Sequence, residues 1–313
     1  MKRWLLTALT AAAAMSLGAS STQAGSFFES PNVSAKTGVL HEERSLYRNL
    51  FVRQDGDERC LLFRARRNVG RESCKLMSNP DHLIFDYTHM MLAALYVDPA
   101  PKKILIIGLG GATIPDALQK MMPGVQLDIV EIDPAVDRVA RKYFDFKPGP
   151  RTRVFVEDGR VFVKRAARQK PNYDLVMLDA FAEDYIPEHM LTREFLQEVK
   201  SIMAPRGVLA ANTWSTSELY DYESATYADV FGPFYNLKSG NRIILTRLGG
   251  LPAPEELRAN AAKWDPQLLR RGVARGELMG MINTRVDWDT KARVLTDQYS
   301  PSNVLNARKR GGG

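Results

Sequence analysis

The feature that most limits the folds open to this chain is a regular alternation of short apolar runs and amphipathic stretches beyond Pro101. Runs near 103–108, 126–131, 152–156, 173–179 and 207–212 read as strands, and the stretches near 113–122, 134–144, 159–168 and 190–203 carry apolar residues at helical spacing. Parallel neighbours cannot be joined by a tight turn, so alternation of this kind predicts a mostly parallel sheet with helices on both faces. A helix near 217–231 and a strand at 241–248 extend the pattern. The predicted class is α/β with a Rossmann-like core.

Upstream, residues 25 to about 45 read as an extended lead-in, and Tyr47 to about Leu76 as a small antiparallel β unit rich in Arg, Leu, Phe and Val. The stretch LIFDYTHMMLAALYV, 83–97, has helical spacing and is closed by Pro99 and Pro101. The tail from about 250 reads as helical and polar, with Gly311–Gly313 disordered. At the other end, Lys2 and Arg3 precede an apolar stretch, Trp4 to Ala19, that finishes in Thr22-Gln23-Ala24. This predicts a secretory signal peptide cut after Ala24 and an exported protein, periplasmic or secreted. An uncleaved anchor is the alternative, although the run is short for a span of roughly 20 residues; after cleavage no stable membrane span is expected. The domain reading is 1–24 signal, 25–82 lead-in and small β domain, 83–250 Rossmann-like domain, and 251–313 C-terminal helical extension and tail.

Cys60 and Cys74 flank LLFRARRNVGRES, a strand, a turn around Asn68 to Gly70 and a return strand. A cross-strand disulfide and two separately buried thiols both fit, and two cysteines alone suggest no metal site. The net charge of +7 is spread over RARR, KRAARQK and a closing ARKR without interleaved aromatics, which speaks for a solvated basic surface and against nucleic-acid binding.

The chemistry gathers at the ends of the predicted strands. Gly108, Gly110 and Gly111 turn a buried strand sharply into a helix; they either permit the turn alone or also let a ligand approach the backbone. Glu131 ends the next strand about 20 residues on, where an acidic side chain takes both hydroxyls of a ribose. Asp133, followed by Pro134, reads as a helix N-cap. Asp158 with Gly159 opens a helix at the same edge, as a cap or as an acceptor for an adenine amine, and Asp179 ends the fourth strand. Four strands that each deliver a polar residue to one rim point to a ligand cleft rather than to unrelated caps.

In this order and spacing, VDPAPKKILIIGLGGAT, DIVEIDPAVDRVARKYF, RVFVEDGRVFVKR, YDLVMLDAF, LTREFLQEVKSIMAPRGVLAAN and the preceding FDYTHMM resemble the polyamine aminopropyltransferases, or spermidine synthases, over about 45–247. The resemblance implies the S-adenosylmethionine-dependent methyltransferase fold with a small N-terminal β unit. It also implies a homodimer, a polyamine substrate, decarboxylated S-adenosylmethionine as co-substrate, and no metal. It places Gly108, Gly110, Gly111, Asp158 and Gly159 around the donor and Glu131 on its ribose. It makes Asp179 the group that orients or deprotonates the attacking amine, with Tyr87 beside the amine channel.

The departures from the family pattern are equally specific. The family carries an acidic residue within its glycine turn where this chain reads Gly110-Gly111-Ala112-Thr113, so a donor-binding carboxylate is read as lost at Ala112. A second aspartate of the acidic segment is replaced by Ala182, with Glu183 and Asp184 next to it as substitutes. Tyr-His-Glu becomes Tyr87-Thr88-His89, with His89 read as a hydrogen-bonded core residue. LTDQYSPSNVL resembles an ending that brings Asp297 and Tyr299 to the site. The alternatives are a methyltransferase using S-adenosylmethionine itself and a non-catalytic exported nucleoside- or polyamine-binding protein. A nicotinamide-dependent oxidoreductase leaves Asp158 and Asp179 without a task.

Overall fold

The computed structural model describes residues 37–64, 70–180 and 187–301. Signal residues 1–24, Glu183 and Asp184 therefore lie outside the described residues. The first four strands, β1 (Gly38–Arg44), β2 (Asn49–Asp55), β3 (Glu58–Leu62) and β4 (Arg71–Leu76), form an antiparallel meander in sequence order. β1 occupies what reads as a lead-in, so the β unit begins earlier than expected. Side chains alternate across a strand, and both faces of this sheet are used. Leu50, Val52 and Leu61 join the main core, while Phe51, Cys60, Leu62 and Cys74 gather with Ile84 and Phe85 on the other side. Cys60 and Cys74 stand opposite each other in register and are joined by a disulfide, which selects the first of the two readings.

The expected helix over 83–97 is two helices, α1 (Asp86–Leu92) and α2 (Ala94–Val97). At the junction Ala93 N–H donates to the Met90 carbonyl and Tyr96 N–H to the Ala93 carbonyl, three-residue bonds that tighten the helix. All four residues of α2 are buried. Residues 83–85 run extended, which delays the helix start.

The alternating region follows as β5 (Lys103–Ile107), α3 (Thr113–Met121), β6 (Gln126–Glu131), α4 (Pro134–Tyr143), β7 (Thr152–Val156), α5 (Gly159–Ala167) and β8 (Tyr173–Leu178). Then come a single 3-10 turn (Glu188–Met190), α6 (Arg193–Ile202), β9 (Met203–Trp214), α7 (Tyr220–Phe231), β10 (Tyr235–Ser239), β11 (Asn241–Arg247), α8 (Pro254–Leu269) and α9 (Arg275–Met281). The seven strands lie in the order β10-β11-β9-β8-β5-β6-β7, with β7 to β9 parallel and β11 and β10 antiparallel. This is the expected α/β Rossmann-like fold, extended by one hairpin: β10 pairs with β11 through Gly240 at φ +67°.

The central strands are apolar throughout because both faces are covered. Ile104 and Ile106 of β5, with Leu175 and Met177 of β8, enter one core under α1 to α4 and α8. Leu105, Ile107, Val176 and Leu178 enter a second core under α5 to α7. The chain moves outward from β5 through β6 to β7, then returns to lay β8 on β5's other side. That reversal opens a crevice beyond the carboxyl ends of β5 and β8, where ligands of doubly wound sheets bind. No helix among the described residues is long and apolar enough to cross a membrane.

Candidate active site

The crevice is a cleft of about 890 Å³ whose walls include Gly108, Gly110, Glu131, Asp158, Gly159, Asp179 and Tyr87. Its floor depends on glycine. Gly108 has φ +108°, and a Cβ there would lie 2.2 Å from the carbonyl oxygen of Asp179. The two strand ends are thus drawn together more closely than a side chain permits, and Asp179 N–H donates to the Ile107 carbonyl at 2.8 Å. At Gly159 a Cβ would meet Ile107 Cγ2 at 2.6 Å, so α5 can start only against the end of β5. A Cβ on Gly111 would lie 2.7 Å from Ser73 Oγ of β4, and Ser73 Oγ is 2.8 Å from Thr113 Oγ1. The small sheet therefore docks directly on the glycine turn.

Each acidic residue at the rim is held differently. Glu131 at the end of β6 accepts Leu109 N–H on Oε2 and Asp133 N–H on Oε1, both at 3.0 Å. Burial raises its pKa, and the two backbone bonds oppose the rise. Asp158 caps α5: its Oδ1 accepts Arg160 N–H and Val161 N–H at 2.9 Å, and its Oδ2 lies 2.9 Å from His189 Nε2. The His189 bond does most to hold this carboxyl below its usual range. Among the described residues Asp179 accepts one side-chain bond, from Asn212 Nδ2 to Oδ1 at 2.8 Å. Loss of water pushes its carboxyl up to about 7, with the Asn212 bond pulling the other way. Burial, then the charges of Asp179 and Glu72, raise the Tyr87 phenol well above its ordinary value. The Tyr87 ring is stacked on Phe85 at 6.0 Å.

Several residues of this cleft escape the sequence reading. Asn212 and Trp214 lie at the end of β9, Ser239 and Asn241 flank the β10–β11 turn, and Glu72, Asp86 and His189 line the same walls. Only Asn212 carried a usable signal, as one more polar residue at the carboxyl end of a predicted strand. Over the Glu131 side, the turn between β1 and β2 brings Leu46, Tyr47 and Arg48 to the mouth. Ser45 Oγ anchors that turn by donating to Asp133 Oδ2 at 2.5 Å, while Asp133 Oδ1 caps α4 through Ala135 N–H.

Three of the singled-out positions stand outside the cleft walls among the described residues. Asp297 does not line the cleft: both its oxygens accept from the Arg160 guanidinium at 2.7 Å, and Oδ1 also accepts from Thr192. Tyr299 is likewise away from the cleft, pairing with Thr296 under the Arg293 guanidinium. Ala112 is fully buried in the core at φ +61° and forms no part of the cleft wall, so a carboxylate at this position would face apolar packing rather than a ligand. His89, as expected, donates to a carbonyl, that of Leu83.

The Spermine/spermidine synthase domain matches residues 85–235. The polyamine aminopropyltransferase of Vibrio vulnificus is 45% identical over 281 residues, covering 88% of this chain and 94% of that protein. Among solved structures, a probable spermidine synthase from Corynebacterium glutamicum superposes with a TM-score of 0.61 at 20% identity, over 83% of this chain and 99% of that one. Human Methyltransferase-like protein 13 in complex with SAH superposes at 0.54 and 26% identity, over 67% of this chain and 98% of its own. The Vibrio similarity overturns the expectation of a periplasmic or secreted protein. It spans 94% of an enzyme named for aminopropyl transfer.

Proposed function

The chain belongs to the polyamine aminopropyltransferase family, and from that premise we propose that it moves an aminopropyl group from decarboxylated S-adenosylmethionine to a diamine such as putrescine. The observation that carries this reading is a carboxyl at the switch point whose pKa is pushed up to about 7 beside a half-buried tyrosine. A diamine is protonated at neutral pH and has no nucleophilic lone pair until it loses a proton. Asp179, with an affinity for protons near neutrality, is matched to accept that proton.

In the step itself, the freed amine nitrogen attacks the methylene carbon next to the sulfonium sulfur. The new C–N bond forms as the C–S bond breaks, its electron pair goes to sulfur, and a neutral thioether leaves. The amine proton ends on the Asp179 carboxylate. The positive charge passes from sulfur to the newly alkylated nitrogen, which leaves the step as a secondary ammonium, and much of the rate comes from holding nitrogen, carbon and sulfur in line.

The nucleoside half of the donor fits the other wall. Glu131 has one lone pair on each oxygen committed to a backbone N–H, which fixes the carboxylate plane and leaves the remaining pairs for two ribose hydroxyls. Asp158 Oδ2 is the acceptor for the adenine amine. Gly110, with only Ser73 near its missing side chain, lets the sugar approach the backbone. A cleft of about 890 Å³ has room for a nucleoside and a short diamine together.

The direct test is mass spectrometry of the purified chain incubated with putrescine and either decarboxylated or intact S-adenosylmethionine. Spermidine with methylthioadenosine is the expected outcome. A methylated product with S-adenosylhomocysteine, or no product from either donor, would overturn it.

A further inference from the structure

Asp179 is fixed from both sides of the sheet. Toward β5, its backbone N–H is bonded to Ile107 and its carbonyl is packed on Gly108. Toward β9, its Oδ1 takes the amide of Asn212. An asparagine amide is nearly symmetric in shape, so packing alone does not decide whether its NH₂ or its carbonyl faces a neighbour; the hydrogen bonds do. Here the second bond comes from one strand further out. Asn241 Nδ2 of β11 donates to Asn212 Oδ1 at 3.0 Å. The two share a sheet face: Asn241 pairs with Trp214 and Ile243 with Asn212, so the two asparagines are diagonal neighbours.

We propose that Asn241 is a positioning residue for the transfer reaction: by holding the Asn212 carbonyl it turns the Asn212 NH₂ onto Asp179 Oδ1, which assigns Oδ2 as the oxygen that receives the amine proton. This inference rests on the aminopropyl-transfer reading. With Asn241 absent, the Asn212 amide is free to rotate and present its carbonyl to Asp179. A carbonyl facing the carboxyl repels the ionised form and accepts a bond from the protonated one, so the proton is held more tightly and a smaller fraction of the carboxyl is ionised and able to accept a proton at neutral pH.

Among the described residues, the other titratable or charged groups on the cleft walls are Tyr87 and Asp86 from α1, Glu72 and Arg71 from β4, Tyr47 and Arg48 from the β1–β2 turn, Glu131 from the end of β6, Asp158 from the start of α5 and His189 from the 3-10 turn. None of them touches the Asn241–Asn212 pair among the described hydrogen bonds, and Asp158 and His189 are bonded to each other. The acid limb of the amine's kcat/KM profile therefore reports Asp179 through Asn212.

The experiment uses the full chain with Asn241→Leu, which removes the donor at similar size, and Asn241→Asp, which replaces it with an acceptor. Three readouts are taken: the pH profile of kcat/KM for putrescine, methylthioadenosine affinity, and infrared titration of the Asp179 carboxyl with Asp179→Asn as the blank. The expected result is an acid limb moved alkaline by about half a unit for Asn241→Leu and about one unit for Asn241→Asp. At pH 7 this is roughly a twofold to fivefold loss of turnover, with nucleoside affinity within about twofold. Asn241→Ser keeps a donor and should restore the limb. An unmoved limb together with an unmoved infrared titration overturns the proposal, whatever happens to kcat. If the wild-type chain transfers no aminopropyl group, the functional reading fails, and the infrared titration still decides the role of Asn241. Should the two larger changes abolish nucleoside binding, Asn241→Ala is titrated in their place, and an unshifted Asp179 there overturns the proposal.

Discussion

The two halves of the cleft use carboxylates in opposite ways. On the nucleoside side, Asp158 caps a helix with one oxygen and meets His189 with the other, and its carboxyl is held low. On the amine side, Asp179 meets a single amide among the described residues and is pushed up to about 7. Both sit at the ends of strands in one sheet, so the difference lies in the loss of water around Asp179 and then in the number and charge of the donors around each. A carboxylate given several N–H partners stays ionised and serves as a fixed acceptor. One stripped of water and given a single neutral partner becomes able to exchange protons. Glu131 falls between them, raised by burial but tied by two backbone bonds.

The change that should break this contrast most sharply is Asp179→Asn, which keeps the shape and the neighbours but cannot take a proton. Turnover should fall by about 10²–10⁴-fold while methylthioadenosine affinity stays nearly constant, measured by steady-state kinetics and calorimetry. Retained turnover would remove Asp179 from the mechanism. The same variant should be more stable than the wild type at high pH. Asp179 has a folded pKa raised from 3.8 to about 7, so its ionised form is disfavoured in the folded chain. The associated stability is present below the unfolded pKa and lost as pH rises from about 4 through 7, by at most about 4 kcal/mol. Asp179→Asn should therefore raise Tm at pH 8 and leave it nearly unchanged at pH 4, as read by scanning calorimetry.

On the nucleoside side the expected effects are smaller and fall on binding. Glu131→Gln should raise donor KM by about 10- to 100-fold with a modest change in kcat, because charge-assisted bonds to the ribose hydroxyls are worth about 1.5–3 kcal/mol. Asp158→Asn should weaken donor binding less and leave the denaturation midpoint nearly unchanged, because asparagine caps a helix about as well as aspartate, whereas Asp158→Ala should cost about 1 kcal/mol of stability through the lost cap of α5. If Asp158→Asn proved more damaging to kcat than Asp179→Asn, the division between the two halves would be reversed.

The sheet and its carboxyl rim were legible because buried parallel strands are apolar runs and the residues that follow them must be polar where a ligand enters. Glu131, Asp158 and Asp179 come from that rule together with family motifs. Asn212 obeys the same rule, but an asparagine after a strand reads equally as a turn residue. Asn241 and Ser239 were beyond reach: they flank a hairpin whose first strand, Tyr235–Ser239, is too short and mixed to announce itself. Asp297 misled because an acidic residue near an aromatic and a proline fits a site motif equally well whether its partner is an amine or Arg160. The split of the 83–97 helix at Ala93 has no sequence marker, since alanine favours helix and the tightening comes from burial of α2 on all sides.

The seating of Ser73 against Gly111 has a consequence for how this protein can change. The hydroxyl occupies the space where a side chain at 111 would begin, so the turn and the small sheet are a matched pair like a key cut to one lock. Sequence drift at either position should be accepted only with a compensating change at the other. An engineer who wishes to place a new polar group at 111, to select a donor with a different tail, will have to redesign β4 in the same step.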